Sequence, residues 1–364
     1  MEQKLAESTP VATGKEARAD EPVTLALVGC GLVSRSHLPA LRGADRVRLV
    51  AVVDLDATRA EAAAATAGGV CWMAHQEQVL EDQTIEAVAI CLPHHLHAEA
   101  VERALRHGKH VFVEKPMALR LDDCARMITT AEEAGRVLAV GQVLRCRHPV
   151  RLAREAVAAG AVGRPVQTIR RRYGRRDQTT GQLEWSGDAQ RSGGLLYGNG
   201  SHEVDAGLWI ANGRPAEVYA RAGESDPEDT RGATELSLLI TLAGGGLFTL
   251  SMSRGTSQAV WDQWTTGTAG SLFLSSQALT INGESRPLPE QPEGGFKEEW
   301  EAFGLAVQAA RAGDLRRPCV IGARSVWPTM VALECARESI RGGRPVRATE
   351  VDRWALYEQP QAPN

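Results

Sequence analysis

Up to about Gly141 the chain alternates short apolar runs with stretches rich in Ala, Leu and Glu. Beyond it, apolar runs follow one another across short connections. Residues 23–28, 47–53, 86–92, 110–113 and 137–140 read as buried strands, and the spacers between them, such as 98–107, read as helices. Strand and helix thus alternate five times, a rhythm that predicts right-handed crossovers and a parallel sheet covered on both faces by helices.

Past Gly141 a helix over 149–159 ends at Gly160. Strands are then predicted near 166–173, 217–222, 234–242, 247–252 and 271–274, with a hairpin turn at 244–246. Two helices, 297–312 and 323–341, close the pattern, and Trp300, Phe303, Val307 and Ala310 share one face of the first as ordinary packing residues. The expected fold is an α/β Rossmann domain followed by an α+β domain with a large, mostly antiparallel open sheet. Residues 1–21, polar and aperiodic, are expected to form a mobile arm, 22–144 the dinucleotide-binding domain, and 145–364 the substrate-binding and oligomerisation domain.

A chain of 364 residues has room for two such cores. With 41 Lys and Arg against 45 Asp and Glu it carries no excess positive charge to attract nucleic acid, so none is expected as a partner. No apolar run approaches the roughly 18 residues of a membrane span, and the first residues lack the apolar centre of a secretory signal, so a cytoplasmic protein is expected. The seven Cys residues form no Cys-x-x-Cys pair and read as thiols. Only Cys30 and Cys91 fall where a ligand would pass.

Val28-Gly29-Cys30-Gly31-Leu32-Val33-Ser34 is a dinucleotide fingerprint with Ser at its third glycine position. Gly29 permits the tight turn, and Gly31 lets a pyrophosphate approach the backbone at the positive end of the next helix. About 20 residues further on, as the fingerprint requires, Asp54 ends the next strand. Its carboxylate suits the ribose hydroxyls of NAD and repels the phosphate of NADP, so NAD is the expected cofactor and NADP the less favoured one.

Ala89-Ile90-Cys91-Leu92-Pro93-His94-His95-Leu96-His97, Gly108-Lys109-His110-Val111-Phe112-Val113-Glu114-Lys115-Pro116 and the glycine-paired run from Gly193 through His202 to Asp205 resemble the glucose-fructose oxidoreductase, inositol dehydrogenase and rhizopine catabolism (Gfo/Idh/MocA) family. Gly342-Gly343-Arg344-Pro345-Val346 resembles its ending. The resemblance implies hydride transfer between a nicotinamide and a secondary alcohol of a sugar, cyclitol or related polyol. It implies Lys115 and His202 as the catalytic pair. It also places Pro93, His94, His97, Glu114 and Gln142 on the cofactor side with the glycine loop, and Trp185 near the cleft with Ser186 where an Arg often follows. A relative's Asp four positions before the His is Gly198 here, which leaves Tyr197 and Asn199 as the neighbouring substrate contacts. Asp205 falls on the same helical face as His202.

Three histidines near residue 94 lack further ligands, so no metal is expected. In the run Arg170-Arg171-Arg172-Tyr173-Gly174-Arg175-Arg176, strand alternation puts Arg170 and Arg172 on one face and Arg171 on the other. Arg172 is thereby a candidate for an acidic substrate, the alternative being solvated or subunit-interface arginines. Two other readings stand beside the dehydrogenase: an NAD-assisted glycosidase or lyase with no net redox change, and a non-catalytic NAD-binding regulator. The open sheet predicts self-association, and the resemblance implies a homodimer or homotetramer.

Overall fold

A computed structural model describes residues 20–174, 185, 188–223, 233–291 and 294–354. Most of the expected arm, with Arg175, Arg176 and Ser186, lies outside the described residues. The first sheet contains β1 (Val23–Val28), β2 (Val47–Val53), β3 (Cys71–Met73), β4 (Ala87–Ile90), β5 (His110–Glu114) and β6 (Leu138–Gly141) in the order β3-β2-β1-β4-β5-β6. Every neighbouring pair is parallel. β4 and β5 are buried along their whole length, which is why they read as unbroken apolar runs in place of alternating ones. The strand order reverses between β1 and β4, and the crevice beyond their carboxyl ends is where such sheets bind ligands. One strand more is present than the five predicted: β3 has only three residues, two of them exposed.

The second sheet has nine strands: β7 (Pro165–Tyr173), β8 (Pro215–Ala222), β9 (Glu235–Leu242), β10 (Leu247–Ser253), β11 (Val260–Gly267), β12 (Ser271–Ser275), β13 (Ala278–Ile281), β14 (Glu284–Pro287) and β15 (Val346–Arg347). Their order is β14-β13-β12-β11-β7-β10-β9-β8-β15, antiparallel except where β10 runs parallel to β7. β9 alternates buried and exposed residues without a break, as a strand covered on one face must. The helices Gly200–Ile210 and Ala323–Gly342 pack on the covered face. On the open face, Trp264, Ile169, Leu239 and Tyr219 are exposed and stand in register across β11, β7, β9 and β8, with Thr249 of β10 between them.

The helix Phe296–Arg311 belongs by sequence to the second half but packs on the first sheet. Trp300, Phe303 and Val307 share a core with Leu25, Leu27, Val52 and Phe112, and Arg311 pairs with Glu86 at 2.6 Å. The first sheet thus draws one of its covering helices from between β14 and β15 of the second.

A buried ion pair holds the segment that follows β6 to the helices of the second half. Arg145 Nε and Nη2 each donate to Asp205 at 2.7 Å, and Thr329 Oγ1 donates to the same carboxylate at 2.7 Å. Asp205 thus faces a structural cation and not His202. On a helix the face shared by residues three apart is wide enough for two side chains to take different neighbours.

Candidate functional site

A cleft of about 1290 Å³ opens at the carboxyl ends of β1, β2, β4 and β5 and continues to the edge of the second sheet. It exceeds the roughly 300–1,000 Å³ of a drug-sized ligand pocket. Gly29 takes φ +100°, and a Cβ on it would sit 2.5 Å from the Cys91 carbonyl oxygen, so both its conformation and its packing require glycine. A Cβ on Gly31 would meet nothing within 4 Å, because that position faces the open cleft at the start of the Ser34–Gly43 helix. This bare backbone at a helix N-terminus fits a pyrophosphate. Ser34 serves in place of the third glycine by donating its hydroxyl to the Gly31 carbonyl at 2.6 Å.

At the end of β2, Asp54 Oδ2 accepts the Cys30 amide at 2.9 Å, and Oδ1 accepts from Arg59 Nη2 at 2.8 Å. Burial would raise this carboxyl, but the Arg59 hydrogen bond and the Asp56 and Cys30 amides outweigh it and hold it below the ordinary range. The carboxylate is therefore ionised and braced against the glycine loop. Arg59 itself lines the cleft; no motif pointed to it.

β5 delivers Glu114 and Lys115 to the cleft floor. Glu114 Oε1 pairs with His37 Nε2 at 2.7 Å, and Oε2 accepts the Lys115 amide at 3.0 Å. Gly141 leaves room for this carboxylate, since a Cβ there would lie 3.0 Å from Oε1. Burial favours the neutral acid, yet His37 and Lys115 prevail and keep Glu114 below the usual carboxyl range. Lys115 Nζ donates to the Gly198 carbonyl at 2.8 Å. Burial lowers its pKa, the Glu114 charge partly restores it, and the Arg254 charge lowers it again, with a net fall. A lysine so placed is a usable proton acceptor. The Lys115–Pro116 peptide is cis.

His202 is not among the residues that line the cleft; its Nδ1 lies 3.3 Å from Gln142 Oε1. Burial and then the charges of Lys115, Arg147, Arg170 and Arg172 push its pKa well below the usual imidazole value, so the ring is neutral. Donation through Nδ1 leaves the lone pair on Nε2. Asn199 Oδ1 accepts from Arg254 Nη2, and both side chains line the cleft. Arg170 is wholly buried and donates to Glu203 at 2.6 Å and Gln263 at 3.0 Å. Arg171 turns the other way to Asp262, and Arg172 emerges into the cleft, which is the alternation expected of a strand. His94 is pushed down to about 3 by burial and neighbouring positive charge, so it is neutral; its Nδ1 donates to the Ser192 carbonyl at 2.7 Å, and its ring abuts Trp185.

Of the candidate residues, Gly29, Gly31, Leu32, Val33, Asp54, Cys91, Pro93, His94, Glu114, Lys115, Arg172, Trp185 and Asn199 line the cleft together. Others stand elsewhere. Cys30 reaches the loop only through its amide, with its thiol turned 3.6 Å from the Val53 carbonyl. His97 is completely buried, with its ring nitrogens on the Pro116 and Leu92 carbonyls at 2.8 and 2.9 Å, so it braces the loops behind the cleft. Gln142 is buried behind His202. Tyr197 is buried with its hydroxyl 3.4 Å from Glu334, because one helical step from Gly198 turns it away from the cleft; it is not placed to touch a substrate there. Sequence reasoning missed His37, Arg59 and Arg254, which are brought in by folding with no local signal. Among the described residues no group of three or more His, Cys, Asp or Glu side chains is arranged to hold a metal, and no helix is long and apolar enough to cross a membrane.

A family described as "Oxidoreductase family, NAD-binding Rossmann fold" matches residues 23–142, and the "GFO/IDH/MocA C-terminal domain" matches 150–273. The chain belongs to the Gfo/Idh/MocA oxidoreductases. Its first sheet is that family's NAD-binding Rossmann domain, and its second sheet begins in the matching C-terminal domain. Among Gfo/Idh/MocA-like proteins, it is 32% identical over 205 residues to the 1-carboxy-3-chloro-3,4-dihydroxycyclohexa-1,5-diene dehydrogenase of Comamonas testosteroni, covering 56% of this chain and 51% of that protein. It is 35% identical over 141 residues to the 2,7-anhydro-N-acetylneuraminate hydratase of Mediterraneibacter gnavus, covering 39% and 37% respectively. The chain thus aligns with about half the length, or less, of these two curated relatives. The crystal structure of an oxidoreductase from Thermotoga maritima superimposes with a TM-score of 0.80 at 24% identity, over 91% of this chain and 99% of that one, which shows the shared fold.

Proposed function

We propose that the protein is an NAD-dependent dehydrogenase or reductase that interconverts a secondary alcohol and a ketone on a carbohydrate-like substrate. The observation that carries this reading is Lys115, a lysine of lowered pKa on the cleft floor beside a glycine loop that receives a pyrophosphate. When bound, NAD accepts the hydride leaving the alcohol carbon. The chain supplies the rest. Lys115 Nζ takes the hydroxyl proton, Glu114 fixes the Lys115 backbone by accepting its amide, and neutral His202, held by Gln142, offers a second acceptor. Asp54 binds the ribose hydroxyls, which favours NAD over NADP. The exposed apolar band of the second sheet suits a homodimer or homotetramer, and cysteines that are all free suit the reducing cytoplasm.

The test is NADH formation over a panel of sugars, cyclitols and their acids. Lys115→Ala should lower turnover about 10²–10⁴-fold, the usual scale of general acid–base catalysis, with NAD affinity changed little. Oxidation requires neutral lysine, so kcat/KM should rise with pH along a limb below the free-lysine value of about 10.4. Activity untouched by the substitution would overturn the assignment. A second reading, addition or elimination with no net redox change, is supported by the hydratase name of one relative and by Gly198. Product formation without net NADH would select it.

A further inference from the structure

Two arginines, Arg172 and Arg254, line the same cleft as Lys115. Lys115 and Arg254 converge on the junction between two helices, Gly194–Gly198 and Gly200–Ile210: Lys115 on the Gly198 carbonyl, Arg254 on the Asn199 amide oxygen. Gly198 places no side chain between them, and a Cβ there would lie 3.5 Å from Arg254 Nη2. Arg254 is set at the end of β10, where its amide donates to the Thr234 carbonyl at 2.9 Å. From the neighbouring strand Arg172 enters the same cleft with 45% of its side chain exposed. The carboxylate facing Arg172 is Glu203, 3.9 Å away, and Glu203 is already engaged by the buried Arg170 at 2.6 Å. Arg147 adds further positive charge near Glu203 and His202.

We propose that the substrate is an anionic polyol, whose carboxylate or phosphate is received by Arg254 and Arg172 while its reacting hydroxyl meets Lys115. The inference rests on the alcohol-oxidation reading above and narrows its substrate class. Guanidinium groups present paired donors that match the oxygens of a carboxylate or phosphate. A cleft walled by protein strengthens that attraction relative to water. A carboxylate at position 198 would compete for Arg254 and repel such a group; glycine introduces no such competitor.

Glycerol, D-glycerate and glycerol phosphate provide a test, since they share one small alcohol and differ in the anionic group. Their binding to the full chain saturated with NAD is measured by calorimetry at low ionic strength. At least one of the two anions should bind about tenfold or more tighter than glycerol, and the tighter one identifies the group. Arg254→Gln and Arg172→Gln should each weaken that anion by roughly 10- to 100-fold, the scale of a lost charge-assisted hydrogen bond. Arg254→Lys should retain part of the affinity, and glycerol binding should change little in all three variants. Circular dichroism identifies any variant that does not fold, and the remaining variants then carry the test. Equal binding of all three ligands, no binding of any, or anion binding indifferent to both arginines overturns the proposal. Calorimetry does not depend on turnover. Arginine-dependent anion binding without NADH formation from any alcohol would therefore leave the subsite standing and remove the oxidoreductase reading alone.

Discussion

Replacing Asp205 with Asn separates a structural carboxylate from a catalytic one. Asp205 is wholly buried, and the Arg145 side chain that faces it is 3% exposed, so neither charge has water to fall back on. Removing one partner of a buried pair typically costs about 3–5 kcal/mol, because the other charge is left uncompensated. Arg145 keeps the Val320 carbonyl at 2.8 Å, the Ser325 hydroxyl at 2.9 Å and the Ser325 carbonyl at 3.0 Å, and Asn can still accept from Thr329; the lower end of that range is expected. At about 2 °C per kcal/mol for a large domain, the melting temperature should fall by roughly 6 °C. Circular dichroism melts measure the loss, and kcat/KM against pH, taken well below the transition, measures the chemistry. The expected variant is less stable, with the wild-type pH profile. Unchanged melting together with lost activity and a displaced pH limb would place Asp205 in the proton path with His202 and refute the structural account.

Asp54→Ser removes one of the two carboxylates on Arg59, Asp56 at 3.3 Å being the other, and loosens that guanidinium for a phosphate on the ribose, so the ratio of kcat/KM for NADP over NAD should rise about tenfold or more; an unchanged ratio would show that Asp54 does not select the cofactor. A charge placed in the band of the open sheet, Ile169→Glu or Trp264→Glu, should convert the expected oligomer to monomer in light scattering with NAD binding intact. A wild-type protein that is monomeric at micromolar concentration, or an oligomer indifferent to both changes, would exclude that face as the contact.

Long strands that bury apolar side chains in a regular pattern are the most legible from sequence. β4 and β9 announce themselves because every residue, or every second residue, is apolar and buried, and β5 through its central Val111-Phe112-Val113. β11 escaped because its inward positions are Gln263 and Thr265, which answer the buried Arg170 and Thr168 of β7: a polar pairing inside a core erases the alternation that reveals a strand. The β13–β14 hairpin did carry a signal, Asn282-Gly283, both at positive φ, flanked by short strands. In the cleft, the glycine loop, Asp54 and Lys115 lie in local motifs. His37 reaches Glu114 across 77 positions of sequence, and Arg254 reaches Asn199 across 55, so only folding brings them together. Tyr197 was misread because adjacency in sequence does not survive the turn of a helix.

The helix Phe296–Arg311 makes the nucleotide-binding half discontinuous along the polypeptide. A fragment ending near Gln142 would leave the Leu25, Leu27 and Phe112 face bare where Trp300 and Phe303 now lie, and would lose the Glu86–Arg311 clasp. Grafting the cofactor module onto another catalytic partner therefore means transplanting two separate stretches of chain. Synthesis, too, must run past Arg311 before this half can close over its own core.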